Sequence, residues 1–107
     1  MLNVLLALAD QQRHGYGIML EVAEFTNGSV RLGPGTLYGA IKRMLGAGLV
    51  EECGGPDGPG DDERRRYYRL TGLGQETLAE ELAHAERTVA VGREKKVPFP
   101  KSAEAEA

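Results

Sequence analysis

A mainly α fold carrying one two-stranded β-hairpin is what this 107-residue sequence predicts. Three apolar-patterned segments of helical spacing fill the first half and end at polar or glycine-containing breaks. Two β-favouring runs follow, Leu49–Cys53 and Arg64–Leu70, separated by the glycine- and proline-rich stretch Gly54 to Gly60. A long segment then opens at Thr71 and steps Leu78, Leu82, Ala85 and Val89 at spacings of four, three and four residues. A chain of this size makes one small domain with a thin core, which a second subunit would help to stabilise.

The first helix contains Leu2, Val4, Leu5, Leu6, Ala7, Leu8 and Ala9, apolar nearly all round. Such a helix has to be buried on more than one side. The expectation is that its own domain covers one face and a second subunit the other. Asp10 to Arg13 is a polar break. His14-Gly-Tyr-Gly17 leads into a second helix with Ile18, Val22 and Phe25 on one face, and Asn27-Gly28 ends it with residues that tolerate the left-handed conformation.

Gly33 and Pro34 open a third helix, Pro34 at the first-turn position where its missing N–H is not needed. At about 100° per residue, Leu37, Ile41, Met44 and Leu45 share one sector. The opposite sector holds Gly35, Thr36, Gly39, Lys42, Arg43 and Gly46. Glycine inside a helix costs roughly 1 kcal/mol relative to alanine. Three of them on an outward face, beside two cations, suit a helix that lies close against an anionic surface such as phosphates and base edges. The same glycines would also suit close packing against another protein helix.

The hairpin reads as a wing. Alternation along Arg64–Leu70 sets Tyr68 and Leu70 on one face and Arg65, Tyr67 and Arg69 on the other. The order helix–helix–helix–strand–strand is that of a winged helix-turn-helix. Thr71 is suited to cap the last helix, whose apolar seam meets either the first helix or a second copy of the chain. The expected division is 1–71 as a winged helix-turn-helix domain, 72–97 as a C-terminal dimerisation helix and 98–107 as a flexible tail.

The formal charge is only −3, yet it is unevenly placed. Arg31, Lys42 and Arg43 are unopposed between residues 31 and 50, and Arg64, Arg65, Arg66 and Arg69 form a second basic block. Local field, not net charge, decides which surface meets a polyanion. The acids gather in Glu51 to Glu63 and along the last helix. The lone Cys53 excludes an internal disulfide framework and suits a reducing compartment. With no signal-like opening and no apolar run near the roughly 18 residues of a membrane span, a cytoplasmic, nucleoid-associated location is expected.

Catalysis finds no support in the sequence. Cys53 and His84 fall in unrelated elements, the histidines and cysteine lack metal-ligand spacing, and Gly54–Gly60 has no Lys-Ser/Thr ending or following helix. No cofactor and no metal are expected.

His14-Gly-Tyr-Gly-Ile18, Gly33-Pro-Gly-Thr-Leu-Tyr38, Lys42-Arg-Met-Leu45, Gly48-Leu-Val50 and Arg66-Tyr-Tyr-Arg-Leu-Thr71 stand in an order and spacing that resembles the PadR-type transcriptional regulators. The resemblance runs from about residue 2 to about residue 75. It implies a winged helix-turn-helix homodimer joined chiefly through the C-terminal and first helices. It further implies a pseudo-palindromic double-stranded operator and a repressor released by a small molecule. The short last helix resembles the small subfamily, some members of which bind planar aromatic compounds between subunits, often against a tryptophan. This chain has no tryptophan, and its wing carries an acidic run beside its arginines.

Residue roles follow from the two readings together. Gly35, Thr36, Tyr38, Gly39, Lys42 and Arg43 would meet DNA. Backbone N–H groups and hydroxyls at the helix start reach phosphate, and Arg43 suits a guanine edge. Tyr38 reads equally as a packing residue on the helix flank. Arg64 and Arg65 would reach phosphate or a minor groove unless Asp61, Asp62 and Glu63 pair with them. His14 reads chiefly as a turn residue. Leu5, Leu8, Leu78, Leu82, Ala85 and Val89 would form the dimer interface or line an effector pocket. Two-fold symmetry places the operator half-sites about one helical turn, or a multiple of it, apart. The competing class is a winged-helix module whose glycine face packs on a protein partner, towards which the acidic wing leans.

Overall fold

The computed structural model describes residues 1–54 and 66–100. Along the chain it comprises α1 (Leu2–Ala7), β1 (Arg13–His14), α2 (Gly15–Phe25), α3 (Pro34–Gly46), β2 (Val50–Cys53), β3 (Tyr67–Leu70) and α4 (Gly72–Glu94). The sheet is antiparallel with the order β1-β3-β2. A third strand thus joins the expected two-stranded wing, because the polar break turns extended at its end. Arg13 pairs with Tyr68 and His14 with Tyr67. Two residues are too short to show a period of two, so only the register reveals them.

The helix-turn-helix is built by local hydrogen bonds. His14 caps α2, its Nδ1 accepting from Gly17 N at 3.0 Å. At the far end Asn27 and Gly28 take φ of 52° and 78°. There Gly28 N donates to Ala23 O at 2.7 Å and Asn27 N to Glu24 O at 3.1 Å, the paired bonds of a Schellman stop. Thr26 then tethers the loop towards α3: its Oγ1 donates to Val22 O and accepts from Val30 N. Arg13 locks α1 to α2. Its Nε donates to Ala7 O at 2.8 Å and its Nη2 pairs with Glu21 at 3.0 Å.

One core joins these elements. Leu5, Ile18, Val22, Leu37, Ile41 and Met44 are its fully enclosed side chains. Two expectations are corrected here. Leu45 does not hold α3, being 37% exposed at the edge of the apolar sector, and Ala40 completes the buried stripe instead. The first helix ends at Ala7, and Val4, Leu5, Ala7 and Leu8 are all buried within the one chain. The fold therefore covers more than one side of α1, while Leu2 and Leu6 stay only partly buried.

Gly48, at φ 76°, turns the chain from α3 into β2, with Leu49 N donating to Met44 O at 2.9 Å. Thr71 then anchors α4 twice. Its Oγ1 donates to Gly48 O at 2.6 Å and accepts from Gly74 N at 3.0 Å, as its capping role requires. At Gly74 the helix runs directly over the Leu49 carbonyl, and a Cβ there would overlap that backbone oxygen. Beyond Leu78, α4 carries no further buried residue. Past its end, Phe99 lies under Arg93, with the guanidinium 4.4 Å from the ring centroid. Residues 101–107 lie outside the described residues.

Candidate nucleic-acid interface

α3 presents the expected outer face. Gly35, Thr36, Tyr38, Lys42 and Arg43 are exposed and Gly39 is half-buried. The N-cap, Gly33, offers no side-chain hydrogen bond to the first-turn N–H groups of α3. A Cβ at Gly33, Gly35 or Gly46 would meet open space. Gly39 has a different use: Arg43 folds back along the helix until its Nη1 lies 3.7 Å from where a Gly39 Cβ would stand. Neither Lys42 nor Arg43 forms an ion pair among the described residues, so both cations remain available to an incoming anion.

Tyr38 is both packing residue and surface residue. Its hydroxyl end sits over Gly15, the first residue of α2, where a Cβ would overlap the phenol oxygen unless the ring moved. Yet 48% of the residue is exposed. The packing role on the helix flank is the one that the sequence left open beside DNA contact, and its partner Gly15 is what the structure adds. Nothing in the sequence names that partner, because no periodicity connects residues on two different helices.

The wing differs most from expectation. Arg64 and Arg65 lie outside the described residues, as do Asp61, Asp62 and Glu63. The next two arginines pair across the sheet. Arg69 Nε donates to Glu51 Oε1 at 2.8 Å, and Arg66 Nε lies 3.7 Å from Glu52 Oε1. The register explains it, since Glu51 stands opposite Arg69 and Glu52 opposite Tyr68. The Glu51 contact holds the Arg69 guanidinium protonated even more firmly than usual. Burial above all, then the nearby Glu52 and Tyr38, pushes the Tyr68 hydroxyl above its ordinary ionisation range.

His14 stays with its turn: besides capping α2, its ring meets Tyr67 edge-on at 5.2 Å. An open pocket lies beside it, lined by Gln11, Gln12, Arg13, His14, Gly17 and Tyr67. None of the residues expected around an effector is among these. Of that group Leu5, Leu8 and Leu78 are filled into the chain's own core, which corrects their expected place at a surface. Leu82 and Val89 remain 41% and 42% exposed on α4, with Ala85 half-buried between them. Among the described residues no cluster of three metal-ligating side chains occurs, and no helix is long and apolar enough to cross a membrane.

The chain matches the model of the transcriptional regulator PadR-like family over residues 4–80. It is 32% identical over 77 residues to an uncharacterised protein of Lysinibacillus sphaericus, covering 72% of this chain and 69% of that one. Among solved structures it is similar to a transcriptional regulator from Clostridium thermocellum, with a TM-score of 0.73, 26% identity, and 91% and 88% of the two chains covered. A PadR family transcription regulator from Clostridium difficile gives 0.69, also at 26% identity, over 87% and 95%. Bacillus subtilis PadR in complex with operator DNA shares the fold, with a TM-score of 0.63 and 20% identity over 76% of this chain and 44% of that one.

Proposed function

The chain belongs to the PadR-like family of transcriptional regulators, and we propose that it is a homodimeric repressor that binds a pseudo-palindromic operator and is released by a small-molecule effector. The observation that carries the DNA-binding part is the outer face of α3. There an N-terminus without a side-chain cap, two cations that form no ion pair among the described residues, and glycines opening onto free space share one surface. Helix N-terminal N–H groups favour anions, and a low-relief helix face can enter a major groove. Gly35, Thr36 and Tyr38 approach the phosphates in this reading, while Lys42 and Arg43 reach further in across Gly39. Arg64 and Arg65 extend the contact at the wing. That a protein of the same fold is known with operator DNA supports the reading.

α4 is the proposed dimerisation element, residues 1–71 forming the DNA-binding unit and 72–97 the arm between copies. Leu82, Ala85 and Val89 continue the seam that Leu78 begins, and the chain itself leaves Leu82 and Val89 largely open. A planar aromatic effector would sit between the α4 helices of two subunits and alter their spacing. The test is selection of bound fragments from genomic DNA by the purified chain, repeated with aromatic compounds present. Enrichment of a two-fold symmetric motif that a compound abolishes is the expected result. Recovery of no common motif would remove the operator reading.

A further inference from the structure

We propose that Glu52 is a specificity-determining residue, holding Arg66 in a cross-strand pair and so withholding a sequence-independent phosphate contact beside α3. The inference rests on the DNA-binding reading above. Strand alternation places Glu52, Tyr68 and Arg66 on one face of the wing and Glu51 and Arg69 on the other. The Glu52 face is the one turned to α3. Tyr68, only 5% exposed, and Val50 on the same face are buried in one core with Leu37, Ala40, Ile41 and Met44 of α3. The Glu52–Arg66 pair therefore lies on the face of the wing that packs on α3.

The pair contributes little to the fold. Its side chains are 49% and 63% exposed and the closest approach is 3.7 Å, the kind of surface contact that solvent screens. Its consequence is on charge. A phosphate approaching Arg66 meets a carboxylate already beside the guanidinium, whose repulsion offsets part of what the arginine would gain by turning to DNA. Phosphate contacts carry affinity for any sequence, whereas base contacts carry discrimination. A regulator that withholds one arginine from the backbone raises the share of its affinity that depends on the bases under Lys42 and Arg43.

The experiment is a salt titration of a labelled random-sequence duplex with the full chain and its variants, read by fluorescence anisotropy. Glu52→Gln is expected to raise affinity roughly 3–10-fold near 0.1 M salt and to steepen the log–log salt dependence by about 0.9, one added phosphate contact. Arg66→Ala alone should change affinity less than about twofold, and Glu52→Gln/Arg66→Ala should lose the gain. Glu51→Gln removes the same charge on the opposite face and should stay near the unaltered chain. No gain in Glu52→Gln, a gain that survives Arg66→Ala, or an equal gain in Glu51→Gln would each overturn the inference. Absence of salt-sensitive binding by the unaltered chain is a different result, and it would remove the DNA-binding reading itself.

Discussion

The Tyr38 ring lies so close over Gly15 that a methyl group on Gly15 would overlap the phenol oxygen and stand 2.8 Å from Cζ. The two helices of the helix-turn-helix are keyed to each other at that point. Because Tyr38 is half exposed, it can swing away from an added methyl. Gly15→Ala is therefore expected to change stability by less than about 1 kcal/mol while lowering DNA affinity as much as Tyr38→Ala does. Thermal melting beside anisotropy titration checks both halves.

Gly74 is the opposite case. Its hypothetical Cβ meets the backbone of Leu49, with the carbonyl carbon at 3.0 Å and Cα at 3.4 Å, and no rotamer change relieves that. Gly74→Ala has to separate α4 from the Leu49 backbone and should cost about 1–3 kcal/mol, the range of an overpacked core. Urea unfolding monitored by circular dichroism measures it, and an unchanged midpoint would contradict the packing described.

Thr71 joins the wing to α4 through its hydroxyl, which gives one hydrogen bond to Gly48 O and takes one from Gly74 N. Thr71→Ala should lower stability by about 1–2 kcal/mol, and Thr71→Ser should restore most of the loss. Equal loss in both variants would mean that the methyl group, not the hydroxyl, matters.

Leu82 and Val89 are exposed on the part of α4 that the chain does not cover. Leu82→Glu/Val89→Glu should convert a dimer into a folded monomer in sedimentation velocity, because charges across an apolar seam cannot be desolvated cheaply. An unaltered dimer would move the interface elsewhere.

Much of this architecture is legible in the sequence where one residue type has one local use. Thr71 before a helix, Asn27-Gly28 after one and Pro34 at a first turn each mark a boundary, and α3 keeps its outer face in the structure. The readings that fail depend on other elements. Leu45 and Leu37 differ by only about 80° on a helical wheel, so the wheel alone cannot tell which one the core reaches. Small Ala40 looks neutral until the other elements close around it. Leu5 and Leu8 look like surplus apolar surface until α2 and α4 cover them. The partners of Arg66 and Arg69 depend on strand register, which nothing in the loop composition determines.

The central claim is that the outer face of α3 meets DNA, and a salt-dependent titration of a labelled duplex from the chain's own upstream region tests it most directly. Between about 50 and 200 mM salt the unaltered chain should lose affinity steeply. Lys42→Ala should flatten the log–log slope by about 0.9, and Arg43→Ala should also relax preference at one base pair by roughly 1–3 kcal/mol. Binding that ignores salt, survives Lys42→Ala and Arg43→Ala, and disappears on Gly39→Leu would contradict the account and mark the face as a protein contact.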